Sequence, residues 1–265
     1  MPESPLAPQP HSARISLLLA WNDPSILNGF FGRTGGVSGG TYATLNLGTR
    51  VGDEPRAVDE NWRRAREFAP GIDSFARLVQ VHGNVVHAVS RTNAAERPEA
   101  DGMVTSERNL GLAVMTADCV PILLADARNG VVGALHAGWR GTIGGIAQQG
   151  VAAMKRLGAA PESTRAALGP SIGQCCFEVD RELANRFASE LPEAASHIRD
   201  GRVGKAFLDL RGIIRDQLMA LGLDANAISS VGPCTKCASE RYFSRRAAGG
   251  VTTGLQMSFV ALAAQ

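Results

Sequence analysis

Histidine is scarce in this chain: five residues among 265, beside five cysteines and 5% aromatic residues. So few imidazoles exclude a centre that consumes many of them, such as a blue-copper site coupled to a trinuclear copper cluster. An odd number of cysteines spread through a long chain does not make the framework of a small secreted disulfide protein. A bias of charge is missing as well. Lys plus Arg number 27 against 25 Asp plus Glu, and no long run of one sign occurs. The electrostatic footprint of a nucleic-acid or membrane-surface binder is therefore absent. No apolar run approaches the ~18 residues of a membrane span. The first apolar stretch, "ISLLLAW" at 15–21, is too short for a signal-peptide core and lacks a small-residue cleavage site. The expectation is a soluble, cytoplasmic protein with small-molecule partners and neither nucleic acid nor membrane, and a monomer.

What is present is 45% apolar residues and thirty glycines, enough for a full core crossed by many tight turns. Residues 1–14 are Pro-rich, polar and without periodicity, predicting a disordered tail before one domain at 15–265. Short apolar runs bounded by turn residues predict strands at "ISLLLA", "ILNGFF", "FARLVQV", "LGLAVMT", "VPILLAD", "GVVGAL", "TRAALG" and "QMSFVAL". Apolar residues at three- and four-residue spacing predict helices: one with Val58, Trp62, Ala65 and Ala69, one with Ile143, Ile146, Ala147, Val151 and Met154, one with Leu183, Phe187 and Leu191, and one with Leu210, Ile214, Leu218 and Leu221 capped by Asp209. The mixture predicts an α/β or α+β domain.

Three residues with metal-binding or nucleophilic chemistry fall where apolar runs end. His82 closes "ARLVQVHG", Cys119 lies in the turn "TADC" between two runs, and His136 closes "GVVGALHAG". Equivalent strand ends share one rim of a sheet, where rigid strands hold positions and turns supply side chains. Two imidazoles and a thiolate suit zinc, and three protein ligands leave a fourth position open, the catalytic pattern. Each also has a plain structural reading: Cys119 as a buried thiol, His82 as a donor to a carbonyl. The turn "HAGWRG" at 136–141 adds bare backbone at Gly138 and Gly141, a helix start at Thr142 and the guanidinium of Arg140, together a site for phosphate. A surface ion pair is the other reading of Arg140.

"RTGGVSGGTYATLNLG", "VGDEP" with "VDENW", "VQVHG", "ADCVPILLAD", "HAGWRGT", "GPSIGQCCFEV" and "CTKCASERYFSRR" occur in an order that closely resembles the bacterial laccase-domain family, over roughly residues 28–262. Its members are variously called polyphenol oxidases, peptidoglycan editing factors and purine nucleoside phosphorylases. The resemblance implies a single domain of mixed β-sheets packed as a sandwich with flanking helices, similar to cysteine hydrolases. It implies a zinc site at His82, Cys119 and His136. It also implies phosphorolysis of adenosine, inosine, guanosine and methylthioadenosine, with adenosine deamination. Catalytic residues are then expected at His82, Cys119, His136 and Asp118, and substrate contacts at Arg33, Asn46, Gln80 and Arg140. Turn hydrogen bonding for Asn46, and capping or ion pairing for Asp118, are the structural alternatives. The chain departs from the family pattern at Leu255, where an arginine is usual; Arg245 and Arg246 are candidate replacements.

Two other functional classes fit some residues. Cys119 beside a histidine resembles a metal-free thiolate nucleophile, consistent with a hydrolase that edits wrongly built UDP-muramoyl amino-acid precursors of peptidoglycan. A purely structural zinc module is the non-catalytic class. Copper is expected at most as an adventitious substitute at the zinc site, because Cu(II) outcompetes zinc on nitrogen ligands. Cys234 and Cys237 form a lone C-x-x-C, and the adjacent Cys175 and Cys176 are expected on opposite faces of an extended segment, so these four are expected to pack separately in the core or near the rim.

Overall fold

The computed structural model describes residues 15–264; the expected tail at 1–14 lies outside them. In chain order the strands and helices are β1 (Leu17–Leu18), β2 (Ile26–Phe31), α1 (Pro55–Glu67), β3 (Ser74–Ala76), β4 (Val86–Ala88), β5 (Gly102–Thr105), β6 (Leu110–Thr116), β7 (Val120–Asp126), β8 (Val131–Ala137), α2 (Trp139–Ile143), α3 (Ile146–Arg156), β9 (Arg165–Leu168), β10 (Glu178–Asp180), α4 (Arg181–Glu190), β11 (Ile198–Asp200), β12 (Lys205–Leu208), α5 (Leu210–Ala220), β13 (Ile228–Ser230) and β14 (Gln256–Leu262). A five-stranded sheet runs β1-β2-β14-β6-β3 and a six-stranded sheet β13-β9-β7-β8-β5-β4, with a small sheet β10-β12-β11. Both large sheets are mixed: β3 with β6, β4 with β5 and β13 with β9 pair parallel among otherwise antiparallel neighbours.

Alternation along the strands explains the layering. In β7, Leu123 and Ala125 face the five-stranded sheet, meeting Phe30, Leu112 and Val260 in one core. Ile122 and Leu124 point the other way, into a core with Val151 and Met154 of α3 and Ile214 and Leu218 of α5. Both faces of β7 are buried, so its sequence is apolar throughout rather than alternating. On the far side, Val58, Trp62 and Ala65 of α1 cover Phe31, Phe75 and Phe259 of the five-stranded sheet. Two sheets packed face to face between helical layers agree with the expected mixed α/β sandwich. Among the described residues no helix is long and apolar enough to cross a membrane.

Two strand boundaries differ from expectation because a side chain replaces a ladder bond, and one helix because of its glycines. The strand expected over 75–81 ends at Ala76. Gln80 instead donates its amide N–H to the Met115 carbonyl and accepts the Met115 N–H, both at 2.8 Å, mimicking the pairing with β6. Past β1, the Oδ1 of Asn28 accepts the N–H groups of Ala20 and Trp21. The helix after "HAGWRG" breaks in two at Gly144 and Gly145, the latter at φ 81°. Thr142 does not cap it: Gly138 is the N-cap, and the Thr142 hydroxyl donates back to the Gly138 carbonyl from inside the first turn. Asp209 does cap α5, accepting from the Gly212 N–H. Cys175 and Cys176 lie in a turn rather than an extended segment, and the sulfurs of Cys175, Cys176, Cys234 and Cys237 gather within 4.8 Å of one another. Their expected separation is thereby corrected, since strand alternation does not govern a turn.

Candidate metal centre and its cleft

His82, Cys119 and His136 meet. Their ligand atoms lie within 4.8 Å of one another, and the two imidazole rings cross edge-on with centroids 4.8 Å apart. Each arrives by a different route. His136 is the penultimate residue of β8, paired opposite Pro121 on β7. Cys119 ends the bend Ala117–Cys119, where the chain leaves one large sheet and enters the other. His82 stands six residues beyond β3, at φ 62°, a left-handed conformation uncommon without glycine.

Asp101 holds two of these residues. Its carboxylate is fully buried and accepts the backbone N–H groups of Val81 (3.2 Å), His82 (3.0 Å) and Gly83 (2.7 Å). It also lies 2.7 Å from Nδ1 of His136. One residue thus fixes the His82 turn and orients the His136 ring, leaving Nε2 of His136 for a ligand. Burial works against ionisation of Asp101, but the hydrogen bonds from His136 and Gly83 hold its carboxyl below the usual range. Burial likewise opposes charge on Cys119, yet the charge and hydrogen bond of His136, with a further hydrogen bond from His82, bring its thiol down to about 6. Burial also disfavours His136 as a cation, and the charge on Cys119 together with Asp101 outweighs it, raising His136 to about 9. Each shift favours the thiolate and imidazolium forms of the pair.

Sequence reasoning missed Asp101. Its one signal is an acid at the head of the apolar run "DGMVT", which reveals nothing about a partner 35 residues away. The glycines of "HAGWRG" have a steric explanation. A Cβ on Gly138 would stand 3.0 Å from Cδ2 of His82 and 3.1 Å from Sγ of Cys119, and one on Gly141 would press to 2.7 Å from the Gly83 carbonyl.

The three residues open onto a cleft of about 140 Å³ that is also lined by Gln80, Met115, Arg245 and Leu255. Past Gln80, Met115 and Leu255 it adjoins a second cleft of about 300 Å³. The other expected site residues divide. Gln80 lines the cleft, with its amide committed to Met115. Asp118 turns away: Thr235 donates to Oδ1 at 2.6 Å, and the Arg246 N–H donates to Oδ2 at 2.7 Å. Arg33 is a staple, donating to the carbonyls of Ala43 and Ser239 and lying over the Phe243 ring. Asn46 is fully buried, bonded to Gly48, Asp53 and the Leu255 N–H. Arg140 is exposed on α2 and stacks on Trp139, 4.6 Å from the ring centroid, without lining the cleft. Of the two candidate replacements for the arginine absent at Leu255, Arg245 lines the cleft, while Arg246 donates to the carbonyls of Cys176 and Glu178.

The donor chemistry fits one metal ion. Two imidazole nitrogens and a thiolate converge, and a ligating histidine whose other ring nitrogen bonds a carboxylate is the usual outer arrangement.

Comparison with known proteins agrees. The chain is 43% identical over 230 residues to a protein of Deinococcus radiodurans named purine nucleoside phosphorylase, covering 85% of each. It is 37% identical over 237 residues to the purine nucleoside phosphorylase YlmD of Geobacillus stearothermophilus, covering 85% of this chain and 86% of that one. The crystal structure of YlmD from Geobacillus stearothermophilus superposes with a TM-score of 0.88 at 35% identity, over 95% of this chain and 97% of that chain. That of the Bacillus licheniformis hypothetical protein YfiH gives 0.85 at 30% identity, covering 93% and 96%. Residues 27–263 match the family described as multi-copper polyphenol oxidoreductase laccase, and the chain belongs to that family.

Proposed function

We propose that the chain is a zinc-dependent purine nucleoside phosphorylase, acting on adenosine, inosine, guanosine and methylthioadenosine, with adenosine deaminase side activity. The observation that carries this reading is the His82–Cys119–His136 donor set, backed by Asp101 and open to the cleft. The names of the relatives support the substrate class. The two adjoining clefts provide room for a base and a sugar phosphate, in the range of small-molecule sites. His82, Cys119 and His136 would hold the zinc, which when bound supplies Lewis acidity.

The chain's own residues supply the rest. Arg245 is in none of the ion pairs found among the described residues and lines the cleft, so it is the group to hold phosphate, in place of Arg33 and Arg140. A phosphate oxygen then bonds to C1′ of the ribose as the C1′–N9 bond breaks. The purine leaves with that electron pair and takes up one proton, balanced by the one that hydrogen phosphate gives up on becoming the sugar ester. Met115 and Leu255 give the cleft apolar walls against which a base can lie, and Asp101 keeps the His136 ring fixed throughout.

Copper suits a His₂Cys set as well. Among the described residues no second group of histidines gathers; His87 is on β4, beside a separate small pocket. A four-copper oxidase therefore has no place for its trinuclear cluster. The test of the reading is product analysis. Zinc-loaded protein with adenosine should give adenine and ribose 1-phosphate only when phosphate is added, and inosine with or without it. Formation of neither adenine nor inosine would reject the reading.

A second reading rests on the Cys119–His136 pair, a thiolate facing an imidazolium: a cysteine hydrolase editing UDP-muramoyl amino-acid precursors. Zinc would occupy the same sulfur. Activity of metal-free protein, lost on alkylation of Cys119, would favour the hydrolase over the phosphorylase.

A further inference from the structure

Four of the five cysteines lie outside the candidate centre and close together. Cys175 and Cys176 sit in the turn after β9, and Cys234 and Cys237 in the turn after β13. Parallel pairing of Ser171 with Cys234, and the Thr235 N–H bonded to the Ser171 carbonyl at 3.0 Å, set the two turns in register. Sγ of Cys237 is then 3.4 Å from that of Cys176 and 3.7 Å from that of Cys175, and all four sulfurs fall within 4.8 Å of one another.

We propose that Cys175, Cys176, Cys234 and Cys237 form a second metal site, a closed tetrathiolate that holds one zinc ion structurally. Size supports it. A regular tetrahedron with Zn–S near 2.3 Å has its sulfurs about 3.8 Å apart, close to the two shortest separations here. Four protein ligands leave no open position, the mark of a structural rather than catalytic zinc. Gly173 leaves room, since a Cβ on it would lie 3.3 Å from that of Cys234 and 3.4 Å from Sγ of Cys175.

The ion would tie down the backing of the first centre. Thr235, between Cys234 and Cys237, donates to the Asp118 carboxylate, and Ile172, just before the Cys175 turn, donates its N–H to the Asp118 carbonyl. Asp118 is the neighbour of Cys119. The zinc thus acts as a brace on the loop that presents the catalytic sulfur.

The test uses the full-length protein and two readouts. Cys119→Ala, which removes the sulfur of the first centre, should still purify with about one equivalent of zinc by elemental analysis. Adding Cys234→Ser and Cys237→Ser should remove it. Because those cysteine variants can fail to fold, wild-type protein is also alkylated under native conditions and mapped by peptide mass. Cys175 and Cys237 are exposed, so their labelling should slow at least about tenfold with zinc and recover with a chelator. Folded Cys119→Ala protein without zinc, iron in its place, a Cys176–Cys237 disulfide in zinc-loaded protein, or labelling indifferent to chelator would each overturn the proposal.

Discussion

Asp101→Asn is the most informative single change, because it keeps the shape of a fully buried side chain and removes its charge. The carboxylate collects four hydrogen bonds: three from the backbone of the His82 turn and one with His136. An asparagine offers one acceptor oxygen, and its NH₂ then faces N–H donors that it cannot satisfy. Hydrogen bonds to a charged group contribute about 1.5–3 kcal/mol each, so losing two removes roughly 3–6 kcal/mol from folding. At about 2–4 °C per kcal/mol for a chain of this size, Tm should fall by at least about 6 °C in the metal-free protein. Loss of the outer carboxylate weakens metal binding about 10- to 100-fold in comparable sites, equivalent to about 1.4–2.8 kcal/mol. Chelator competition, read as protection of Cys119 from alkylation so that this centre alone is followed, measures the zinc affinity, and calorimetry of metal-free protein the Tm, both beside the wild type. Unchanged zinc affinity with unchanged Tm would refute the role given to Asp101.

Alanine at His82, Cys119 or His136 should abolish phosphorolysis and deamination together, by at least about a hundredfold; survival of either activity in a steady-state assay would separate the two from a shared centre. Arg245→Ala should raise the KM for phosphate about tenfold or more while leaving phosphate-independent deamination nearly intact, whereas Arg140→Ala should change neither. Gly138→Ala should bind zinc more weakly yet fold, because Gly138 has φ −79° and ψ 174°, accessible to alanine, while the new methyl meets His82 and Cys119. Circular dichroism beside a zinc titration checks both halves of that expectation.

Strands such as β6, β7 and β14 were legible because burial on both faces writes itself as an unbroken apolar run between turn residues. The convergence of His82, Cys119 and His136 was legible because reactive side chains are conspicuous where such runs stop. Roles that depend on partners distant in the chain were not. Nothing local tells that Arg33 reaches Ser239, or that Asn46 holds the Leu255 N–H, instead of a ligand. Asp118 is expected among the catalytic residues from the resemblance, and its carboxylate is taken up by the Thr235 hydroxyl and the Arg246 N–H, partners more than a hundred residues away. The small sheet β10-β12-β11 is built from strands of three or four residues with mixed polarity, too short for periodicity to register.

The bend at Ala117–Cys119 is where the polypeptide passes from one face of the sandwich to the other. His136 belongs to the six-stranded side, and the stretch leading to His82 is clasped through Gln80 to the five-stranded side. An ion bound there would rivet the two halves, and could not remain gripped by all three residues if they slid or parted. Global unfolding should therefore release the ion, and the melting transition should move upward from its metal-free value as free zinc rises.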